Sequence, residues 1–180
     1  MGCPVFEADA EVHCLLAEDF SAVAEVAAAF PNCAAGGAID RHCLGDAVIG
    51  DGPALDRLEA ILHPRVKAAA ERFVTLAGAE AAPLVVLEIP LLYETGGDKD
   101  CDAVAVVTAP EEVQKKRVLE RAGMTPARLT FILSRQMPDD EKRKKADYLV
   151  DTGGGIPQML IQLKEIVKIL TLPAVSGSKS

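Results

Sequence analysis

Tryptophan is absent from this chain, and two tyrosines and five phenylalanines are its only aromatic residues. With 49% of the residues hydrophobic, the core must be aliphatic. No apolar run approaches the ~20 residues that span a bilayer. The start lacks the charged-then-apolar pattern of a secretion signal. Met1-Gly2-Cys3 hints at myristoylation, but Phe6 stands where Ser or Thr is wanted. These absences predict a soluble, cytoplasmic protein without a membrane partner. There is no C-x-x-C pair: Cys3, Cys14, Cys33, Cys43 and Cys101 are scattered and odd in number, which predicts reduced thiols. His42-Cys43 with Cys33 nearby matches no standard metal spacing. No internal repeat is present.

An excess of positive charge is also missing. The net charge of −8 argues against a nucleic-acid partner. The charge is uneven, however: residues 111–146 carry +4 and the rest −12. A basic island on an acidic protein suits a local anionic ligand such as a polyphosphate, or else a solvated helix face laced with ion pairs.

Length allows one domain with a real core. Val5-Phe6 makes a short strand leading into Glu7-Ala8-Asp9, and the apolar spacing over 10–30 predicts one helix. Residues 31–38 read as a loop. Helices follow over 39–48 and 53–78, the second broken or kinked at His63-Pro64. Residues 84–90 and 103–109 are dense in apolar side chains and read as strands buried on both faces, stopped by Pro90 and Pro110. Helices over 111–121 and 126–136 are split by Gly123-Met124-Thr125-Pro126, with Thr125 as N-cap and Pro126 at the first helical position. A last strand ends at Asp151 and three glycines, and an amphipathic helix covers 157–170. Strands separated by helices predict an α/β fold: a three-layer parallel sheet with helices on both faces. Ligands of such sheets bind beyond the carboxyl ends of the strands, where Leu91, Leu92, Tyr93 and Glu94 fall.

Pro4-Val5-Phe6-Glu7-Ala8-Asp9-Ala10, Ile39-Asp40-Arg41, Leu58-Glu59-x-x-x-His63-Pro64, Pro90-Leu91-Leu92-Tyr93-Glu94, Arg135-Gln136-Met137-Pro138 and Ala146-Asp147-Tyr148 occur in that order. The set, spread over roughly residues 2–170, resembles the dephospho-CoA kinase family. That resemblance implies a P-loop NTPase-like fold over 1–170, with acceptor-side helices at about 31–80, a helical lid at about 111–146 and a disordered tail over 171–180. It implies ATP and Mg²⁺, with dephospho-CoA as acceptor and phosphoryl transfer to its ribose 3′-hydroxyl.

The family's fold also implies a central strand followed by G-x-x-x-x-G-K-[ST], whose backbone N–H groups cradle phosphates. No such segment occurs in the 180 residues, and Gly177-Ser178-Lys179-Ser180 is not one. The expectation is a sequence that starts late, with a genuinely short, inactive form as the alternative.

By resemblance, Asp9 is the acid at the acceptor hydroxyl; as a residue type it equally suits a helix cap. Glu7 stands where the family usually has Asp. Glu88 could meet Mg²⁺ through water or simply end a strand; no direct metal ligand is expected. His63, Pro64, Pro90, Leu91, Tyr93 and Glu94 match the acceptor pocket, although a hydrogen-bonded structural role is the commoner outcome for a histidine. Arg117 and Arg121, four apart on one helix face, suit a lid over the triphosphate, with Lys142 assisting. Asp151, Thr152 and Gly153 resemble the adenine-side loop. The readings left open are the active kinase, an inactive remnant that binds only the acceptor, and another small-acceptor P-loop kinase.

Overall fold

The computed structural model describes residues 2–121 and 123–172. The tail expected over 171–180 lies outside these residues from 173 onward. Strand β1, Val5–Glu7, runs directly into helix α1, Ala8–Glu18. The single helix expected over 10–30 is two helices. Asp19 leaves the helical region at φ −82°, ψ 101°, and its carboxylate accepts from the N–H groups of Ser21 and Ala22, capping α2, Phe20–Ala29.

Part of the expected loop over 31–38 is an antiparallel hairpin, β2 (Ala34–Ala35) and β3 (Ala38–Ile39). Its turn uses Gly36 and Gly37 at φ 61° and 82°, where a side chain would be strained. Helix α3, Arg41–Val48, follows, capped by Asp40. The hairpin folds Cys33 back onto the first turn of α3, and Asp40 N–H donates to the Cys33 carbonyl at 2.8 Å. Cys33 and Cys43 are joined as a disulfide, correcting the expectation of all-reduced thiols; Cys3, Cys14 and Cys101 are free.

Helix α4, Gly52–Ala79, is continuous through Pro64, where a break was expected. Pro64 cannot donate to the carbonyl of residue 60, but Ala60 is exposed to water. Arg65 Nη1 also donates to the Ile61 carbonyl at 2.6 Å. Packing on both sides of the proline holds the helix together: Leu58 and Leu62 enter one core, Ala69 and Ala70 a second. The first core also takes Leu15, Leu16, Val26 and Phe30 from α1, α2 and the turn beyond. The second packs Phe6 of β1 against Phe73, ring centroids 5.7 Å apart.

Strand β4, Val86–Glu88, pairs parallel with β1, Val5 opposite Val86 and Glu7 opposite Glu88. Strand β5, Ala105–Thr108, pairs parallel with β6, Tyr148–Asp151. Among the described residues these two parallel pairs are not hydrogen-bonded to each other. Nor are β4 and β5 buried on both faces: Val86 is 37% and Val107 62% exposed. Their apolar density is that of interior strands, but only part of each surface is covered.

Helix α5, Glu111–Leu119, follows β5; in α6, Pro126–Ser134, Thr125 Oγ1 accepts from Arg128 N–H at 3.2 Å, the cap expected from the sequence. The run Asp139–Lys145 is helix α7. Its acids lie in the first turn and its bases in the last, complementing the helix dipole. Helix α8, Ile156–Thr171, closes the described chain and buries no residue fully.

Candidate active site

One group of candidate residues is built around the ends of β1 and β4. Glu7 takes the N-cap position of α1 without a side-chain capping bond, and Asp9 lies in the first turn. Asp9 is therefore not the cap. It is exposed and makes no side-chain hydrogen bond among the described residues. Parallel register places Glu7 and Glu88 opposite one another where the two strands finish. Both are exposed, so two carboxylates stand side by side.

Pro90, Leu91, Tyr93 and Glu94 form successive turns beyond β4, closed by Gly97 N–H donating to the Leu92 carbonyl at 2.9 Å. Gly96 makes this possible at φ 72°. The Glu94 side chain is 15% exposed. Its Oε1 accepts from Met137 N–H at 2.7 Å and pairs with Lys142 Nζ at 2.8 Å. Burial pushes this carboxyl's pKa up, but the bonds from Lys142 and Met137 outweigh it and leave it below the usual carboxylate range. Its Oε2 and the Tyr93 hydroxyl are buried without a partner among the described residues. Burial, with Asp98 and Asp147 nearby, pushes the Tyr93 hydroxyl's pKa up. Lys145 Nζ lies 5.5 Å from the Tyr93 ring centroid. His63 and Pro64 are exposed on α4, and His63 makes no hydrogen bond among the described residues, so the structural role favoured by its residue type is not seen.

Opposite this turn a cleft of about 510 Å³ opens beside the end of β5, lined by Gln114, Arg117, Gln136, Asp139, Lys142 and Thr152. Arg117 reaches it from α5 and donates through Nη1 to Thr152 Oγ1 and through Nη2 to the Thr152 carbonyl, both at 3.2 Å. Thr152 Oγ1 in turn donates to the Thr108 carbonyl at 3.0 Å. Gly153 N–H donates to Asp151 Oδ1 at 2.7 Å, tightening the turn after β6. Fold thus joins Arg117 to the Asp151–Gly153 loop and Lys142 to Glu94. It gives Arg121 no ion pair or side-chain hydrogen bond among the described residues.

Sequence reasoning missed the buried hydroxyl of Thr108. It donates to Asp139 Oδ2 at 3.2 Å and accepts from Arg143 Nη1 at 3.1 Å, fastening α7 to the end of β5. One signal was available: a lone hydroxyl near the carboxyl end of an apolar strand, where α/β sites form. It also missed the ion pairs joining α6 and its C-cap to α3 and α4, Arg128 with Asp46 and Arg135 with Asp56 and Glu59. Charges so far apart in sequence carry no local pattern.

Paired parallel strands with helices around them, and cationic side chains in a cleft beside the ends of β5 and β6, make an α/β architecture suited to an anionic ligand. Comparison narrows this. The family model described as dephospho-CoA kinase matches residues 1–158. A dephospho-CoA kinase of Rhodopseudomonas palustris strain CGA009 is 47% identical over 167 residues, covering 93% of this chain and 83% of the relative. One from Paramagnetospirillum magneticum is 51% identical over 170 residues, covering 94% and 80%. A Thermus thermophilus crystal structure superposes with TM-score 0.75 at 31% identity, covering 96% of this chain and 86% of that one. A Campylobacter jejuni dephospho-CoA kinase shares the fold, with TM-score 0.66 at 24% identity over 94% and 86% of the two chains. The chain belongs to the dephospho-CoA kinase family.

Proposed function

We propose that this chain carries the acceptor pocket and lid for ATP-dependent phosphorylation of the ribose 3′-hydroxyl of dephospho-CoA. The observation that carries this reading is Asp9: an exposed carboxylate free of capping duty, two residues past the end of a parallel strand. Such a group orients the hydroxyl and accepts its proton as the phosphoryl group arrives. Tyr93 Oη and Glu94 Oε2, buried without partners, support an acceptor that completes their hydrogen bonding. Arg117 and Lys142 line the cleft beside β5, and such cations suit the charge that spreads over transferring phosphoryl oxygens.

No group of three metal-ligating side chains gathers among the described residues. The Glu7–Glu88 pair fits Mg²⁺ held chiefly by phosphates and water, with carboxylates outside its water shell. Mg²⁺ would supply charge neutralisation on the phosphates. This chain's own residues bind the acceptor, hold Lys142 toward the cleft and move the proton to Asp9.

The donor phosphates need a strand and a G-x-x-x-x-G-K-[ST] loop that the 180 residues do not contain. We place that strand between β4 and β5, whose pairs remain separate sheets with exposed apolar side chains. A second reading is acceptor binding without turnover. The test is product formation from ATP, Mg²⁺ and dephospho-CoA, by this chain and by one extended with such a strand, loop and helix. The extended chain is expected to form product and the 180-residue chain none. An inactive extended chain overturns the kinase reading; robust turnover by the short chain overturns the need for the loop.

A further inference from the structure

Ile39-Asp40-Arg41 is the stretch of the family resemblance to which no task has fallen. Arg41 is the first residue of α3, and its backbone is firmly held. Asp40 caps the helix through the N–H groups of His42 and Cys43, Ile39 is buried in the first core, and the Cys33–Cys43 bridge closes the loop. From this mount the guanidinium crosses to α1, where Nη1 stands 2.9 Å from both ring nitrogens of His13. The contact is shared between the two ring nitrogens. Arg41 makes no ion pair among the described residues, and both side chains are exposed. In a chain of net charge −8, this guanidinium leans on a ring instead of a carboxylate, leaving most of its N–H fork free.

His13 lies four residues after Asp9 on α1. Residues so spaced share a helix face, their Cβ atoms about 5–6 Å apart. The 3′-hydroxyl and 5′-phosphate of one ribose sit a comparable distance apart. We infer that Arg41, braced by His13, binds the 5′-diphosphate of the acceptor nucleotide while Asp9 meets its 3′-hydroxyl. Guanidinium matches phosphate oxygens bidentately, which lysine cannot. The site selects acceptors carrying a 5′-linked anion. The inference rests on the acceptor reading of Asp9.

The test is calorimetric titration of the 180-residue chain with dephospho-CoA and with adenosine, at low and high salt. Arg41→Met is expected to weaken dephospho-CoA binding by ~10-fold or more and to flatten its salt dependence, with adenosine binding and the melting curve unchanged. Arg41→Lys restores the salt dependence and part of the affinity. Unchanged dephospho-CoA affinity in Arg41→Met makes the Arg41–His13 contact a mere strut and overturns the inference; so does an equal loss for both ligands. A wild-type chain that takes up no dephospho-CoA overturns the acceptor reading, and this inference with it.

Discussion

Residues up to about 79 and those after them are built differently. The helices α1 to α4 enclose two apolar clusters with Val26 fully buried, a disulfide and a run of capped helix starts. Beyond α4, α5, α7 and α8 bury no residue fully, and Val107, Ile156 and Ile161 stand more than half exposed. This second half has its own buried residues, Val150 fully and Leu129 nearly so, and polar bonds fasten it besides: Glu94 with Lys142, Thr108 with Asp139 and Arg143, Arg117 with Thr152. Apolar burial contributes roughly 1.5–3 kcal/mol per large side chain, whereas an ordinary hydrogen bond contributes about 1 kcal/mol net. The helical half is therefore the stable frame, and the sheet half is where a further strand would contribute most.

The sharpest test of that division concerns chemistry. If the helical half presents the acceptor's base, Asp9→Ala in the extended chain lowers turnover by ~10²-fold or more, measured by product formation; an unchanged rate makes Asp9 an ordinary first-turn acid. Next comes stability. Leu62→Ala, in the first core, is expected to cost about 3 kcal/mol by chemical denaturation. Leu160→Ala on α8, 38% exposed, should stay within about 0.5 kcal/mol. Equal costs would erase the contrast.

Removing the bridge with Cys33→Ser, which opens a loop of sequence separation 10, should cost about 2–3 kcal/mol. Thiol titration of the native chain should find Cys3, Cys14 and Cys101 first, with Cys33 and Cys43 reacting only after reduction. Five thiols without reductant would contradict the pairing.

The smallest effect belongs to the polar half. The lowered Glu94 pKa means that its ionised form stabilises the fold. That contribution is complete above the ordinary glutamate pKa of about 4.3 and is lost as pH falls through the depressed folded value. Glu94→Gln should cost about 1–2 kcal/mol at neutral pH. Wild type and variant should converge in strong acid. Parallel melting curves across that range would remove Glu94 from the account.

Much of this was legible in the chain. Thr125 and Pro126 announced a helix start, and the structure uses both. The strands near 84–90 and 103–109 were found, although shorter and barer than their apolar density suggested. Residues 10–30 were misread because alanine-rich spacing continues across Asp19, while Asp19 bends to cap the next helix. Pro64 misled in the opposite sense: packing on either side overrode a local breaker. Asp9, Lys142 and Thr152 rest on resemblance, whereas Arg117 rests also on its four-residue spacing from Arg121.

Local physics reaches about one helical turn or one strand step, so composition and order could establish an aliphatic core, the succession of strands and helices, a basic island and the family. They could not join Cys33 to Cys43 or set Arg41 against His13. Nor could they pair Lys142 with Glu94, or draw Arg117 onto Thr152 across 35 residues. Those partners meet only after helices and strands have packed. Whether a charge is spent on a neighbour or left for a ligand is therefore decided by the tertiary structure alone.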